Sequence, residues 1–92
     1  TEQVPSTFSL EQNYPNPFNP TTDIVYSVPK QSRVKLEVFN VLGQKVATLV
    51  DEMKGAGQYA VNFGASSLSS GVYMYRLSSE TQTISKKMVL MK

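Results

Sequence analysis

The sequence predicts an all-β protein, an antiparallel sandwich of about seven strands, on three observations. Apolar and polar residues alternate over short segments, the period of a strand with one buried face. Gly-, Pro-, Asn- and Ser-rich turns punctuate those segments at regular intervals. No window carries the i, i+3, i+4 apolar stripe of a surface helix.

Taken in order, residues 1–7 (TEQVPST) are polar and aperiodic, and read as the end of a linker, disordered or extended. Residues 8–92 form the domain. Phe8, Leu10 and Tyr14 suggest a short first strand. Pro15, Pro17 and Pro20 then alternate with Asn16, Phe18 and Asn19. Proline fixes φ and lacks an N–H, so this run is neither helix nor inner strand. It reads as a stiff, turned lead-in pinned by Tyr14 and Phe18. Asp23–Val28 follows as a strand with Ile24, Tyr26 and Val28 on one face, and Pro29 ends it.

Arg33–Phe39 is the cleanest strand, with Val34, Leu36 and Val38 against Arg33, Lys35 and Glu37. Asn40-Val41-Leu42-Gly43 turns it back, with Gly43 where a tight hairpin needs positive φ. The partner strand Gln44–Val50 has a blurred pattern, which implies either two half-covered faces or a bulge. Asp51–Gly57 reads as a polar loop, then Gln58–Phe63 as a strand with Tyr59, Val61 and Phe63 inward. Gly64–Ser70 is a small-residue connection with Leu68 tucked beneath it. In Val72–Ser78, Tyr73, Tyr75 and Leu77 face one way and Val72 and Met74 the other, as in a central strand covered on both sides. Thr83–Met91 closes the fold, with Ile84, Met88 and Leu90 inward. Strand number and spacing point to an immunoglobulin-like sandwich, a small barrel being the other option.

Composition narrows the chemistry. The chain of 92 residues is one domain, with 40% apolar and 17% charged residues and a net charge of +2. That charge is too small to imply nucleic acid or an anionic membrane. Without cysteine there is no disulfide, and without histidine the commonest general base and metal ligand is missing. Asp51-Glu52 is the one close acidic pair, placed in a loop rather than across a cleft. Gly55-Ala56-Gly57 precedes no helix, and the serines of GASSLSS have no base beside them. No catalytic, cofactor-binding or metal-binding residue stands out, so neither enzyme activity nor a small-molecule substrate is expected. Tyr73 and Tyr75 beside Arg76 suggest a stacking platform, but same-face tyrosines in a central strand belong to a core. Thr1 opens the chain without a leader, so it reads as a piece of something longer.

Five blocks in order carry a further signal: YPNPFNPTTDIVYSVP, VKLEVFNVLGQKVATLV, GAGQYAVNF, LSSGVYMYRL and KKMVLMK. Together they resemble the type A C-terminal sorting domain of type IX (Por) secretion substrates, relatives of which occur in flagellar hook-capping proteins. The resemblance implies an export address on a larger Bacteroidetes protein, passing through the periplasm to the cell surface or medium. It implies partners in the outer-membrane translocon, shuttle and sortase, with cleavage and surface anchoring of the cargo. It maps export determinants onto Ser70, Gly71, Val72 and Tyr73, and onto Lys86, Lys87, Met88, Val89 and Leu90. Pro15, Asn16, Pro17 and Phe18 match the leading block.

Lys86-Lys87 has two readings: protection of a terminal strand's edge, or an exposed element that the machinery reads, for instance by strand addition. The same exposed edge would permit a weak homodimer by edge-strand pairing. A carbohydrate- or surface-binding accessory module, or a structural spacer, is the competing function.

Overall fold

A computed structural model describes residues 6–92 as seven strands in two antiparallel sheets. They are β1 (Ser9–Leu10), β2 (Thr21–Val28), β3 (Ser32–Phe39), β4 (Lys45–Lys54), β5 (Gly57–Gly64), β6 (Gly71–Ser78) and β7 (Thr83–Leu90). One sheet has the order β1-β2-β5 and the other β4-β3-β6-β7. This three-plus-four arrangement matches an immunoglobulin-like sandwich with its fourth strand on the larger sheet. Most of the expected linker, residues 1–5, lies outside the described residues, while Ser6 and Thr7 are exposed.

The core lies between the sheets, where the alternation places it. Ile24, Tyr26 and Val28 of β2 meet Val34, Leu36 and Val38 of β3, and Tyr75, Leu77, Met88 and Leu90 of β6 and β7. A fully buried aliphatic or aromatic side chain contributes about 1.5–3 kcal/mol. Leu68 packs against this core from the β5–β6 connection, and Ala65 beside it is fully buried. Gly43 has φ +82° and closes a three-residue loop, its N–H donating to the Asn40 carbonyl at 3.0 Å.

Among the strands, one open reading is decided and two expectations are corrected. The blur in β4 comes from bulges: Leu36 pairs with Val50 but Glu37 with Thr48, and Val38 with Ala47 but Phe39 with Lys45. Leu49 and Val46 are the extra residues, and such bulges also twist an edge away from outside partners. β4 then runs on to Lys54, so Asp51 and Glu52 are strand residues opposite Lys35 and Val34 rather than loop residues. In β5, Tyr59, Val61 and Phe63 face the core as expected, Phe63 buried and the other two half-buried. Finally, β6 is central in its sheet but covered on one face alone, since Val72 and Met74 are exposed. A four-stranded sheet in a two-layer fold has only one partner layer.

The proline-rich lead-in is a strap joining the two sheets. Its start pairs with β2, where Tyr14 and Asp23 exchange backbone hydrogen bonds of 3.0 and 2.9 Å. Its end runs parallel to β7, with the Phe18 N–H donating to the Val89 carbonyl at 2.9 Å and the Met91 N–H donating to the Phe18 carbonyl at 3.0 Å. Phe18 is buried and packs near Phe63, with ring centroids 6.2 Å apart. Tyr14 does not share that role, being 80% exposed. Asn13, buried just before the strap's prolines, binds the Thr22 hydroxyl, the Pro15 carbonyl and the Tyr75 hydroxyl.

Candidate functional site

The two blocks onto which the resemblance maps export determinants are hydrogen-bonded neighbours. Gly71, Val72 and Tyr73 of β6 lie opposite Leu90, Val89 and Met88 of β7. Strand alternation then divides the residues between two faces.

Tyr73, Met88 and Leu90 point inward and are buried. The Tyr73 hydroxyl donates to the Ser69 carbonyl at 2.7 Å, four residues upstream. That contact is the tyrosine corner of immunoglobulin-like sandwiches, so this side chain holds the connection into β6. Gly71 has φ +155°, a conformation that side-chain-bearing residues seldom adopt, and it opens the strand. Ser70 is exposed, and its hydroxyl accepts the Lys92 N–H at 3.0 Å. The Lys92 ammonium reaches the Ser66 carbonyl at 2.7 Å, so the chain end is tied to the β5–β6 connection.

Val72, Val89 and Lys87 face outward on the four-stranded sheet. Lys86 lies opposite Tyr75 and has the inward parity, where it is half-buried at the sheet edge. The two lysines therefore point to opposite faces and do not make one charged patch. An inward lysine on an edge strand is a recognised guard against edge pairing.

The outer edge of β7 is partly occupied. The Val89 N–H donates to Asn16 Oδ1 at 2.9 Å, the Val89 carbonyl accepts from Phe18, and the Lys87 carbonyl accepts from Gln12 Nε2 at 2.7 Å. From Lys87 to Met91 the strap already fills the place where an added strand would pair. Pro15, Asn16, Pro17 and Phe18 thus act as the cover of the terminal strand.

Sequence reasoning missed the ground beside Lys87. Phe39, Met74 and Lys87 form one row across β3, β6 and β7, and Glu37, Arg76 and Ser85 form the next. The Arg76 guanidinium stacks over the Phe39 ring at 4.4 Å from its centroid. A cleft of about 300 Å³ opens there, closed at one end by the Asn40–Gly43 turn. The signal was present in β3, because Phe39 continues the outward parity of Arg33, Lys35 and Glu37. Among the described residues, no group of three or more acidic side chains is placed to hold a metal ion.

No curated protein matches the chain significantly. The sequence nonetheless matches a family model, the "Secretion system C-terminal sorting domain", over residues 12–91. The chain belongs to that family, the C-terminal sorting signals of type IX secretion, which is a family of export addresses and not of enzymes.

Proposed function

We propose that the secretion machinery reads this domain as a folded sandwich, on the outward side of β6 and β7. The observation that carries this is the register: Val72 lies opposite Val89 and Met74 opposite Lys87, so both determinant blocks contribute to one surface. Val72, Lys87 and Val89 are then the residues that touch the machinery. Tyr73, Met88, Leu90 and Gly71 act by keeping that surface in shape. Lys86 guards the edge.

The partners are translocon, shuttle and sortase components, and the route runs through the periplasm to the surface or medium. Residues 1–7 belong to the linker, which the sortase would cut before anchoring the cargo. Pairing of two copies would use the part of the β7 edge that the strap leaves open, around Thr83–Lys86.

The test is a periplasm-directed reporter fused to the domain and partitioned between cells and medium. Deleting Ser85–Lys92 would be a poor probe, because it removes buried Met88 and Leu90 and unfolds the sandwich. Val72→Asp with Lys87→Glu leaves the core intact. Reporter trapped in the periplasm supports the reading, and undiminished secretion refutes it.

A further inference from the structure

The basic residues of this protein are segregated. Strands β1, β2 and β5 contain no lysine or arginine, whereas β3, β4, β6 and β7 hold Arg33, Lys35, Lys45, Lys54, Arg76, Lys86 and Lys87. On the outer face of the larger sheet, the registers set Arg33, Lys35, Lys45, Arg76 and Lys87 against two carboxylates, Glu37 and Asp51. The modest net charge of the whole chain conceals this asymmetry.

Those charges are incompletely neutralised within the molecule. Arg33 pairs closely with Asp51 at 2.8 Å. Glu37 is shared loosely, 3.5 Å from Lys45 and 3.8 Å from Arg76. Lys87 has no carboxylate within ion-pair distance among the described residues. Beside these cations lie apolar side chains that a solvated face has no use for: Val72, Met74, Val41 and Leu42, each more than 40% exposed.

We infer that this face docks an acidic peptide segment of a partner protein, with an aliphatic side chain of that segment seated in the cleft between Phe39, Met74 and Arg76. The inference deepens the sorting reading and rests on it. Charge complementarity selects an acidic partner, since external carboxylates would meet Lys87, Lys45 and Arg76 without displacing a tight ion pair. Concavity selects a peptide: the cleft of about 300 Å³ is sized for a side chain, whereas a membrane surface leaves such a hollow unfilled. Arg76, already stacked on Phe39, is held ready at modest entropic cost, as an interface anchor should be.

The experiment titrates the isotope-labelled domain with a synthetic peptide of alternating Asp and Leu. A Lys-Leu peptide, anionic vesicles and a dilution series of the domain alone serve as comparisons. The inference expects the acidic peptide alone to shift the resonances of Phe39, Met74, Arg76 and Lys87. Met74→Glu with Arg76→Glu should weaken that binding about tenfold or more and cut export of a reporter fusion by a similar factor, at an unchanged melting temperature. If that pair lowers the melting temperature, Ser85→Glu at the cleft rim takes its place. Equal binding of both peptides, capture by vesicles instead, self-association through this face, or undiminished export of the variant would each overturn it. Undiminished export of the variant sinks the docking surface while leaving the sorting reading standing. An unaltered fusion that stays in the periplasm sinks both.

Discussion

The Phe18 N–H donates to the Val89 carbonyl at 2.9 Å, joining the proline-rich lead-in to the last strand. Residues more than seventy positions apart in sequence thus share one short parallel ladder, continued by the Val89 N–H on Asn16 Oδ1. The lead-in is neither a free recognition motif nor a mere hinge. It covers the edge of the last strand, β7.

Phe18 is the hydrophobic anchor of that cover, at 1% exposure. Phe18→Ala is expected to cost about 3–5 kcal/mol, the range for deleting a buried ring. Thermal melting checks this. Tyr14→Ala, at the exposed end of the strap, should change the melting temperature little, and a comparable loss there would contradict the assignment.

Tyr75 is the polar anchor. Its hydroxyl donates to the Glu11 carbonyl at 2.7 Å and accepts the Asn13 N–H at 2.8 Å, so one phenol fixes two strap residues to β6. Tyr75→Phe strands both backbone groups and should cost about 1–3 kcal/mol. Hydrogen exchange would show the loss at the Asn13 and Val89 amides first.

The same phenols set the alkaline limit. Burial raises the Tyr26 and Tyr75 hydroxyls above the ordinary 10.0, and for Tyr75 the Asn13 hydrogen bond opposes part of that rise. The folded state therefore holds these protons more tightly than the unfolded chain. Their contribution is fully present below pH 10.0 and is lost as pH rises through the folded values. Urea titrations stepped upward from neutral pH should show stability falling above that point. Tyr75→Phe should make the decline shallower, and an unchanged slope would argue against it.

Gly71 and the two lysines make separable predictions. Gly71→Ala forces a Cβ into φ +155° and should cost about 1–3 kcal/mol although nothing crowds the position. Urea midpoints with an unchanged slope would register it. Lys86→Ala with Lys87→Ala should alter stability by at most about 0.5 kcal/mol. Export should follow Lys87→Glu far more than Lys86→Ala, since the outward face carries Lys87.

Strand number, the Gly43 turn, the end of β2 at Pro29 and most of the core were legible from local alternation and turn chemistry. What escaped depended on which layer a strand faces. Val72 and Met74 look like core residues, and only the two-layer packing leaves them outside. β4 could not be registered because two bulges break its parity. The role of Asn13 was invisible, because its partners Thr22 and Tyr75 are brought together by the tertiary fold. Phe39 was the exception: its outward parity was readable in β3, but the significance of that position required Arg76 from another strand.

Reading a folded surface and adding a strand to an opened edge differ in whether the strap must leave β7. The absence of cysteine allows a clean lock. Asn19 and Met91, each one residue past the Phe18–Leu90 bridge, are both exposed. Asn19→Cys with Met91→Cys, oxidised and confirmed by mass, should pin the strap to β7. The decisive measurement is the fraction of a reporter fused to this locked domain that reaches the medium. The folded-surface account predicts export equal to that of the unlocked fusion; export blocked by the crosslink and restored on its reduction would contradict it.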